Sequence, residues 1–390
     1  MKQARTILPT YSADVFGVCS ALYELGGMTV MHDASGCNST YSTHDEPRWY
    51  DTHSLVFISA LTEMEAIMGD DEKVLGDMLQ TIRELHPKFA ALAGTPIPMM
   101  TGCDIPAIAA QLEQRSGIPC FGFQTSGMRS YLCGASEALE QVALRLTDAH
   151  VKMRPGTVNI LGATPLDFSV TGSVPAMAEL LQKGGWEVIG TWAMGSSLEQ
   201  LRRAGEAQVN LVVSGVGMKT ALALQARFGT PYVVGTPTGQ LFSQHILKLL
   251  AQTARDGISR MAFSETAAPE SGDVYILGES VTARSMAAAL EMECGVTPRV
   301  IYTLEQLPEL QGVLSPGDVH AMEEAEIQSA CAGARTVVAD PLYRPVLSPN
   351  CRLISLPHEA FSGRIARRDI PNLPILNLRR WFAPSMKKEV

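Results

Sequence analysis

TVNILGA, residues 157–163, is a short apolar run that ends in two small residues, and the sequence repeats this pattern along its length. VYILG at 274–278 opens in the same way, and each run is followed by a polar loop and then a helical pattern rich in Ala, Leu and Met. Continuous runs of Val, Ile and Leu are typical of strands that are buried on both faces of a parallel sheet. Each stretch therefore predicts a strand–loop–helix unit.

Twelve such runs fall into three blocks of four. They are MTVMHD, SLVFISA, FAALAG and IPCFGF; TVNILGA, WEVIG, VNLVVSG and PYVVG; and DVYILGE, PRVIY, TVVAD and RLISL. Helical patterns such as DEKVLGDMLQTIREL and VPAMAELLQKGG separate them. Strands that alternate with helices predict an α/β fold of three tandem Rossmann-like, doubly wound parallel-sheet domains.

The domain boundaries are expected at polar or Pro/Gly-rich stretches, near HVKMRPG (150–156) and ETAAPESGD (265–273). This divides the chain into a first α/β domain at 1–153, a second at 154–268 and a third at 269–390. The tail NLRRWFAPSMKKEV is expected to be an extension of the third domain.

Composition excludes several classes of protein. The chain has 390 residues, of which 46% are hydrophobic and 18% charged, so it is globular rather than disordered. A net charge of −9 argues against a general nucleic-acid-binding protein. No stretch reaches the length of an apolar membrane span, and MKQARTILPT lacks the apolar core of a signal peptide, so we expect a cytoplasmic protein.

Three of the eight cysteines are candidates for metal binding. Cys19 lies in a predicted helix that opens the first domain, Cys37 follows the first strand in HDASGC (32–37), and Cys103 follows FAALAGTPIPMMTG. Ligands of parallel sheets collect at the carboxyl ends of strands, where these thiols could converge. The alternative is that each is a small buried hydrophobic residue, because there is no compact CxxC motif.

Three segments resemble the nitrogenase component 1 family: GVCSALYEL continuing to VMHDASGCNSTY, ISALTEMEAIMGDDEKVLGDMLQTIRELHPK, and TGCDIPAIAAQLEQRSGIPCFGFQTSGM. Protochlorophyllide reductase and the nickel-sirohydrochlorin diamide reductive cyclase belong to the same superfamily. The resemblance implies that Cys19, Cys37 and Cys103 bind an iron–sulfur cluster, 4Fe–4S or P-cluster-like, at a subunit interface. It also implies two partners: a homologous subunit, either the same chain or a paralogue, and an ATP-hydrolysing iron–sulfur reductase.

The chain departs from the dinitrogen-reducing members of the family. Ser214 stands where those proteins have a cysteine that binds the active-site metal cluster. GMRSYLCGASEAL (127–139) matches the segment in which those proteins carry a histidine that serves nitrogen reduction, but here it contains no histidine. His358, in LPHEAFSGRIA, keeps the family's other cofactor-ligand position, so the resemblance implies a catalytic or ligand role for it. Arg364, Arg367 and Arg368 follow closely and could hold carboxylates of an anionic substrate.

The sequence therefore predicts an iron–sulfur subunit of a nitrogenase-like, ATP-dependent reductase, which acts on a substrate or second metallocofactor held between the domains. A non-catalytic scaffold that assembles or carries a metallocluster or tetrapyrrole is the alternative. A cluster-free small-molecule-binding protein is a third, more remote interpretation.

Weaker motifs have simpler interpretations. GVGMKT (215–220) lacks the GK pair of a phosphate-binding loop and predicts a tight strand-to-helix turn. His44, Asp45, Glu46 and His53 could bind a metal or relay protons, although such clusters usually form a solvated rim. Cys133, Cys294 and Cys331 lie in helical patterns and are expected to pack; Cys120 is expected to be buried in a strand.

Overall fold

The computed structural model describes residues 6–34, 36, 38, 46–263, 273–313 and 317–383. Three parallel sheets contain the strands. The first sheet holds β1 (Met28–His32), β2 (Leu55–Ile58), β3 (Ala90–Gly94) and β4 (Cys120–Phe123). The second holds β5 (Thr157–Leu161), β6 (Glu187–Thr191), β7 (Val209–Val212), β8 (Tyr232–Val234) and β9 (Arg260–Met261). The third holds β10 (Val274–Gly278), β11 (Arg299–Tyr302), β12 (Val319–His320), β13 (Thr336–Ala339) and β14 (Arg352–Ser355).

The strand orders confirm the predicted fold class. They are β2-β1-β3-β4, β6-β5-β7-β8-β9 and β12-β11-β10-β13-β14, and each order reverses beside its first strand. Such a reversal is the topological switch point of a doubly wound sheet, where ligands bind beyond the carboxyl ends of the strands. The predicted domain boundaries stay predictions, and most of ETAAPESGD lies outside the described residues.

Each of the twelve apolar runs contains a strand. The apolar runs did not predict β9 and β12, which are two-residue strands at sheet edges with partly or fully exposed side chains. Because neither forms an apolar run, neither has the signal of a buried strand.

Helices cover both faces of the sheets. In the first domain they are α1 (Asp14–Leu22), α2 (Glu63–Met68), α3 (Asp71–Leu85), α4 (Pro96–Thr101), α5 (Ile105–Ser116) and α6 (Tyr131–Arg145). The second has α7 (Pro165–Phe168), α8 (Ser173–Lys183), α9 (Leu198–Arg202), α10 (Met218–Phe228) and α11 (Gln240–Asp256). The third has α12 (Ser280–Cys294), α13 (Glu324–Ala330), α14 (Glu359–Ser362) and α15 (Leu378–Phe382). No helix in the described ranges is both long enough and apolar enough to cross a membrane.

Helices α1 and α6 pack so closely that both need glycine at the contact. A Cβ atom on Gly17 would lie 2.1 Å from the carbonyl oxygen of Tyr131, and one on Gly134 would lie 1.9 Å from that of Asp14. Asp14 also accepts hydrogen bonds from the backbone N–H groups that follow β4, at 126 and 127. The start of α1 is therefore fixed against the first turn of α6.

The first sheet separates two apolar clusters, because successive side chains of a strand point to opposite faces. Ala91 and Ala93 of β3 belong to one cluster, together with α1 and α6. Ala90 and Leu92 belong to the other, which is covered by α3 and α5. A residue of the first domain can thus be assigned to a face by the cluster against which it packs.

Candidate functional site

Cys19 is completely buried in α1, on the α6 side of the first sheet. Burial raises the pKa of this thiol well above its ordinary value, and the nearby carboxylate of Glu46 adds to the effect. Thiolates rather than thiols bind iron, so this environment disfavours the ligating form of Cys19.

Cys103 lies beyond α4 rather than at the end of a strand. It follows the helix-terminating Gly102 and packs against the α3–α5 side of the sheet. Its Sγ is 3.9 Å from Oδ1 of Asp71, and burial raises its pKa to about 11. The position directly at the carboxyl end of β3 belongs to Thr95, whose hydroxyl donates to the carbonyl oxygen of His32 at 2.8 Å.

The described residues do not bring the predicted thiols together. Cys19 and Cys103 pack against clusters on opposite faces of the sheet, and Cys37 lies outside the described residues. Within the described part of the chain, no three His, Cys, Asp or Glu side chains converge to hold a metal ion. These two thiols therefore do not fit a shared iron–sulfur cluster by themselves, and the cluster stays a prediction.

The acidic and histidine cluster predicted after β1 is only partly described. His44 and Asp45 lie outside the described residues, and His53 is exposed. Glu46 is buried against Arg48, with 2.6 Å between its Oε1 and Nε of the guanidinium. Arg48 also donates to the carbonyl oxygen of Ala193 at 2.9 Å, so Glu46 and Arg48 tie the first domain to the second.

GVGMKT forms the tight turn expected from its sequence: a 3₁₀ turn at Gly215–Gly217 leads directly into α10. A Cβ atom on Gly217 would lie 2.5 Å from the carbonyl oxygen of Leu161, so this glycine permits close backbone packing. Ser214 donates a hydrogen bond to the carbonyl oxygen of Gly162 at 2.8 Å.

The other four cysteines considered above lie in or next to the elements predicted for them. Cys120 is buried in β4 and Cys133 in α6, and Cys331 is buried where α13 ends. Cys294 is the last residue of α12 and is half-buried.

His358 lies at a junction of the three domains. It follows β14 by three residues and precedes α14, and its backbone N–H donates to Oδ2 of Asp340 at 2.8 Å. Its Nε2 is 3.4 Å from the hydroxyl of Tyr131 and 3.7 Å from Oδ1 of Asp167. Tyr131 begins α6 of the first domain and Asp167 lies in α7 of the second; we call these three residues the His358 junction.

The ring of His358 is not used to cap the turn that follows it. Instead, the backbone carbonyl oxygen of His358 accepts hydrogen bonds from the N–H and hydroxyl of Ser362, at 2.9 and 3.3 Å. Nδ1 of the ring has almost no solvent contact and no hydrogen-bond partner among the described residues. The imidazole is thus left for another role.

Tyr131 and Asp167 form the buried side of the junction. The Tyr131 hydroxyl donates to Oδ1 of Asp167 at 2.6 Å, and Thr164 donates to Oδ2 at 2.7 Å. Burial, reinforced by the Asp167 charge, raises the pKa of Tyr131 well above its ordinary value, so the phenol keeps its proton.

Two cavities meet at Tyr11. A small one of about 50 Å³ is lined by His358, Asp167 and Glu279. A larger one of about 800 Å³ is lined by segments of all three domains, including Arg129, Leu166 and Phe361. Tyr11 lines both, and its hydroxyl lies 3.0 Å from those of Thr303 and Tyr343.

Glu279 is a buried acid beside the small cavity. Burial raises the pKa of its carboxyl, and the charge of Asp167 raises it further. Its oxygens accept the backbone N–H groups of Val281 and Thr282 at 3.0 Å, which caps α12. This cap accounts for the burial of an acid at this position.

The predicted arginines differ in their surroundings. Arg364 is exposed and lines the larger cavity, and Arg368 is exposed. Arg367 binds the buried carboxylate of Glu359 through Nε and Nη2, at 3.0 and 2.7 Å. The guanidinium of Arg367 thus already holds a neighbouring side chain, and substrate binding by Arg364 and Arg367 stays a prediction.

Sequence reasoning missed Tyr11, Tyr131, Asp167 and Glu279. Two of them had a usable signal, because Asp167 follows β5 and Glu279 follows β10, at carboxyl ends where ligands collect. Tyr131 lies in the segment noted only for its missing histidine. Its role depends on contacts with two other domains, which no local pattern indicates.

Comparisons with known proteins agree on a single family. The family described as nitrogenase component 1 type oxidoreductase matches residues 15–329. The nitrogenase iron-molybdenum cofactor biosynthesis protein NifE of Clostridium pasteurianum is 26% identical over 45% of this chain and 38% of its own length. One chain of the light-independent protochlorophyllide reductase of Zygnema circumcarinatum is 30% identical over 44% of this chain and 35% of its own length. The matches thus span well under half the length of these relatives.

A solved structure extends the likeness to the whole fold. "Nitrogenase Cp1 at pH 5" superposes with a TM-score of 0.65 at 14% identity and covers 99% of this chain and 92% of that one. At this identity the likeness concerns the fold alone.

Proposed function

Because this chain belongs to the nitrogenase component 1 type oxidoreductase family, we propose that it is a subunit of a nitrogenase-like reductase that holds a substrate or metallocofactor between its three domains. The observation that carries the proposal is the cavity of about 800 Å³, which is lined by all three domains. It is large enough for a sizeable organic or metallo-organic ligand. Tyr11 separates it from the small cavity at His358.

We assign the reaction to His358, which lines the small cavity on the other side of Tyr11 from the large one. Neutral imidazole binds metals, and protonated imidazole delivers protons to a reduced substrate. Nδ1, which has no hydrogen-bond partner in the described part of the chain, suits either role. Arg364 at the larger cavity suits a ligand with carboxylates.

In the proposed function, an ATP-hydrolysing iron–sulfur reductase docks on this chain and supplies it with low-potential electrons. An exposed apolar surface supports a docking partner: helices α2 and α4 contact each other, and Met64 and Met68 of α2 and Met99 and Met100 of α4 are each 41–80% exposed. We call these four residues the methionine surface. Methionine adapts its shape to a partner, and exposed apolar patches mark interaction sites.

The charges beside the methionine surface favour a basic partner. Glu63, Asp70 and Asp104 are exposed at the ends of helices in and next to it. A second copy of this chain would place like charges against one another, so we assign the surface to the reductase. The homologous subunit, either the same chain or a paralogue, is then expected to bind elsewhere.

Iron analysis tests the proposal most directly. We expect protein purified without oxygen to be brown, to contain iron and sulfide, and to be associated with a homologous subunit. With the reductase and ATP, its visible absorption should change on reduction. Colourless, iron-free protein after anaerobic purification and attempted reconstitution would rule out the electron-transfer role.

A scaffold that assembles or carries a metallocluster or tetrapyrrole is the second candidate. The names of several relatives favour it, because NifE proteins of four organisms are described as cofactor biosynthesis proteins. Turnover separates the two functions. A reductase subunit converts substrate repeatedly when supplied with the reductase and ATP, whereas a scaffold releases one cargo per chain to an acceptor protein.

A further inference from the structure

We infer that Asp167 is a positioning residue that fixes the proton of His358 on Nε2, so that Nδ1 is the atom presented to the ligand. The inference rests on the proposed function only for the identity of that ligand. It concerns how a side chain of the second domain sets the chemistry of one in the third.

The argument begins with the single proton of Tyr131. The phenol donates this proton to Oδ1 of Asp167, at 2.6 Å. A phenol has an ordinary pKa of about 10, and this one donates to a carboxylate, so it keeps its proton near neutral pH. Its oxygen can therefore only accept a hydrogen bond from His358.

The acceptor role of Tyr131 determines the imidazole tautomer. Nε2 of His358 lies 3.4 Å from the phenol oxygen, so Nε2 must carry a proton. Oδ1 of Asp167, at 3.7 Å, stabilises that proton electrostatically. In neutral imidazole the other nitrogen then bears the lone pair, and this is the buried Nδ1 without a partner among the described residues.

Two residues beside the junction hold the ring in place. The backbone N–H of His358 is bound to Asp340 at 2.8 Å, and Tyr11 packs edge-on against the imidazole with the ring centres 5.7 Å apart. With the ring and the tautomer both fixed, Nδ1 is the nitrogen left to bind a metal or exchange a proton.

Nitrogen NMR of the full chain labelled with ¹⁵N-histidine tests the inference. His358→Gln identifies the signals, which are recorded above the pH at which imidazole titrates. We expect the protonated nitrogen of wild-type His358 to be Nε2. In Asp167→Ala the phenol proton loses its carboxylate acceptor, so Tyr131 donates to Nε2 and the imidazole proton moves to Nδ1.

Two further variants make the test specific. Tyr131→Phe leaves Asp167 as the acceptor near Nε2, so the proton should stay on Nε2; its loss would assign control to Tyr131 and overturn the role of Asp167. Tyr302 donates to Asp318 at 2.6 Å in a similar phenol–carboxylate pair, and Tyr302→Phe should leave the His358 tautomer unchanged.

A wild-type proton on Nδ1 overturns the inference even if Asp167→Ala does not fold. An unchanged tautomer in folded Asp167→Ala also overturns it. The measurement needs neither iron nor turnover, so its failure is distinguishable from failure of the proposed function.

Discussion

The methionine surface and the His358 junction are opposite kinds of site. On the methionine surface, apolar side chains are exposed, and acidic residues lie at the neighbouring helix ends. At the junction, polar side chains are buried, and one from each domain takes part in a shared hydrogen-bond network. A surface with exposed apolar area needs a second molecule to cover it, whereas the phenol and carboxylate of the junction already bind each other within the chain. Nδ1 of His358 is the atom of the junction that lacks a partner among the described residues. Under the proposed function, recognition of a partner and chemistry on a ligand would therefore take place in separate regions.

Loss of Cys37 should have the largest effect, because the predicted cluster depends on it. We expect Cys37→Ala to purify without colour and with almost no iron, since two remaining thiols on opposite faces of the sheet cannot replace it. The matched control is Cys294→Ala at the half-buried end of α12, which should keep its iron. Equal iron in both variants would contradict the predicted ligand set.

His358→Ala should separate the two regions. We expect it to keep iron and reductase binding but to lose turnover by roughly 10²–10⁴-fold, the range for a missing general acid or base. Substrate reduction driven by the reductase and ATP measures the loss. The control is His53→Ala, which replaces an exposed histidine. Full activity in His358→Ala would remove the junction from the chemistry.

Gly134→Ala tests the packing that holds Tyr131 in the junction. The added methyl group would overlap the carbonyl oxygen of Asp14, so we expect a loss of about 3 kcal/mol in the free energy of unfolding, measured with urea. Gly76→Ala is the matched control, because Gly76 lies within α3, is exposed and has no atom near the new methyl group. It should gain about 0.5–1 kcal/mol. Equal stabilities would disprove the close contact of α1 and α6.

Met100→Asp should weaken the reductase complex by about tenfold, which corresponds to roughly 1.4 kcal/mol. A charge at this position, where the residue is 80% exposed, disrupts an apolar contact and adds to the acidic surroundings. The apparent affinity for the reductase, taken from turnover at varied reductase concentration, measures the effect. Met153→Asp, at 49% exposure outside the surface, is the control. A change in subunit association instead would assign the surface to the homologous subunit.

The smallest effect concerns the N-terminal residues 6–8 and pH. Hydrogen bonds from the N–H groups of Leu8 and Ile7 lower the pKa of Glu324 from 4.5 to about 2. A carboxyl whose pKa is lowered by folding stabilises the contact above pH 4.5, and that contribution is lost as the pH falls towards 2. Amide exchange at Ile7 and Leu8 should therefore lose protection over this range. Protection in Glu324→Gln should be low and no longer follow this titration.

The sequence predicted the strands far better than the site. Each strand in the interior of a sheet follows from an apolar run, because burial on both faces requires one. The site could not be derived in this way, since Tyr131, Asp167 and His358 meet only after three domains have packed together. The family resemblance pointed to His358, but it did not point to Tyr131 and Asp167, which contact His358 in the interior of the protein. The sequence also gives no local signal to show that Thr95 lies directly at the end of β3 and that Cys103 lies further on, beyond α4.

The contact between α1 and α6 has a consequence for synthesis on the ribosome. The whole of the first sheet lies between the two helices in sequence, although they pack backbone to backbone. The apolar face of α1, with Val15, Val18 and Leu22, is made first and remains without its helical partner until α6 has left the exit tunnel. A nascent chain that stalls before residue 131 would therefore expose this face to chaperones or to aggregation. The first domain can complete its fold only after its last helix has been translated.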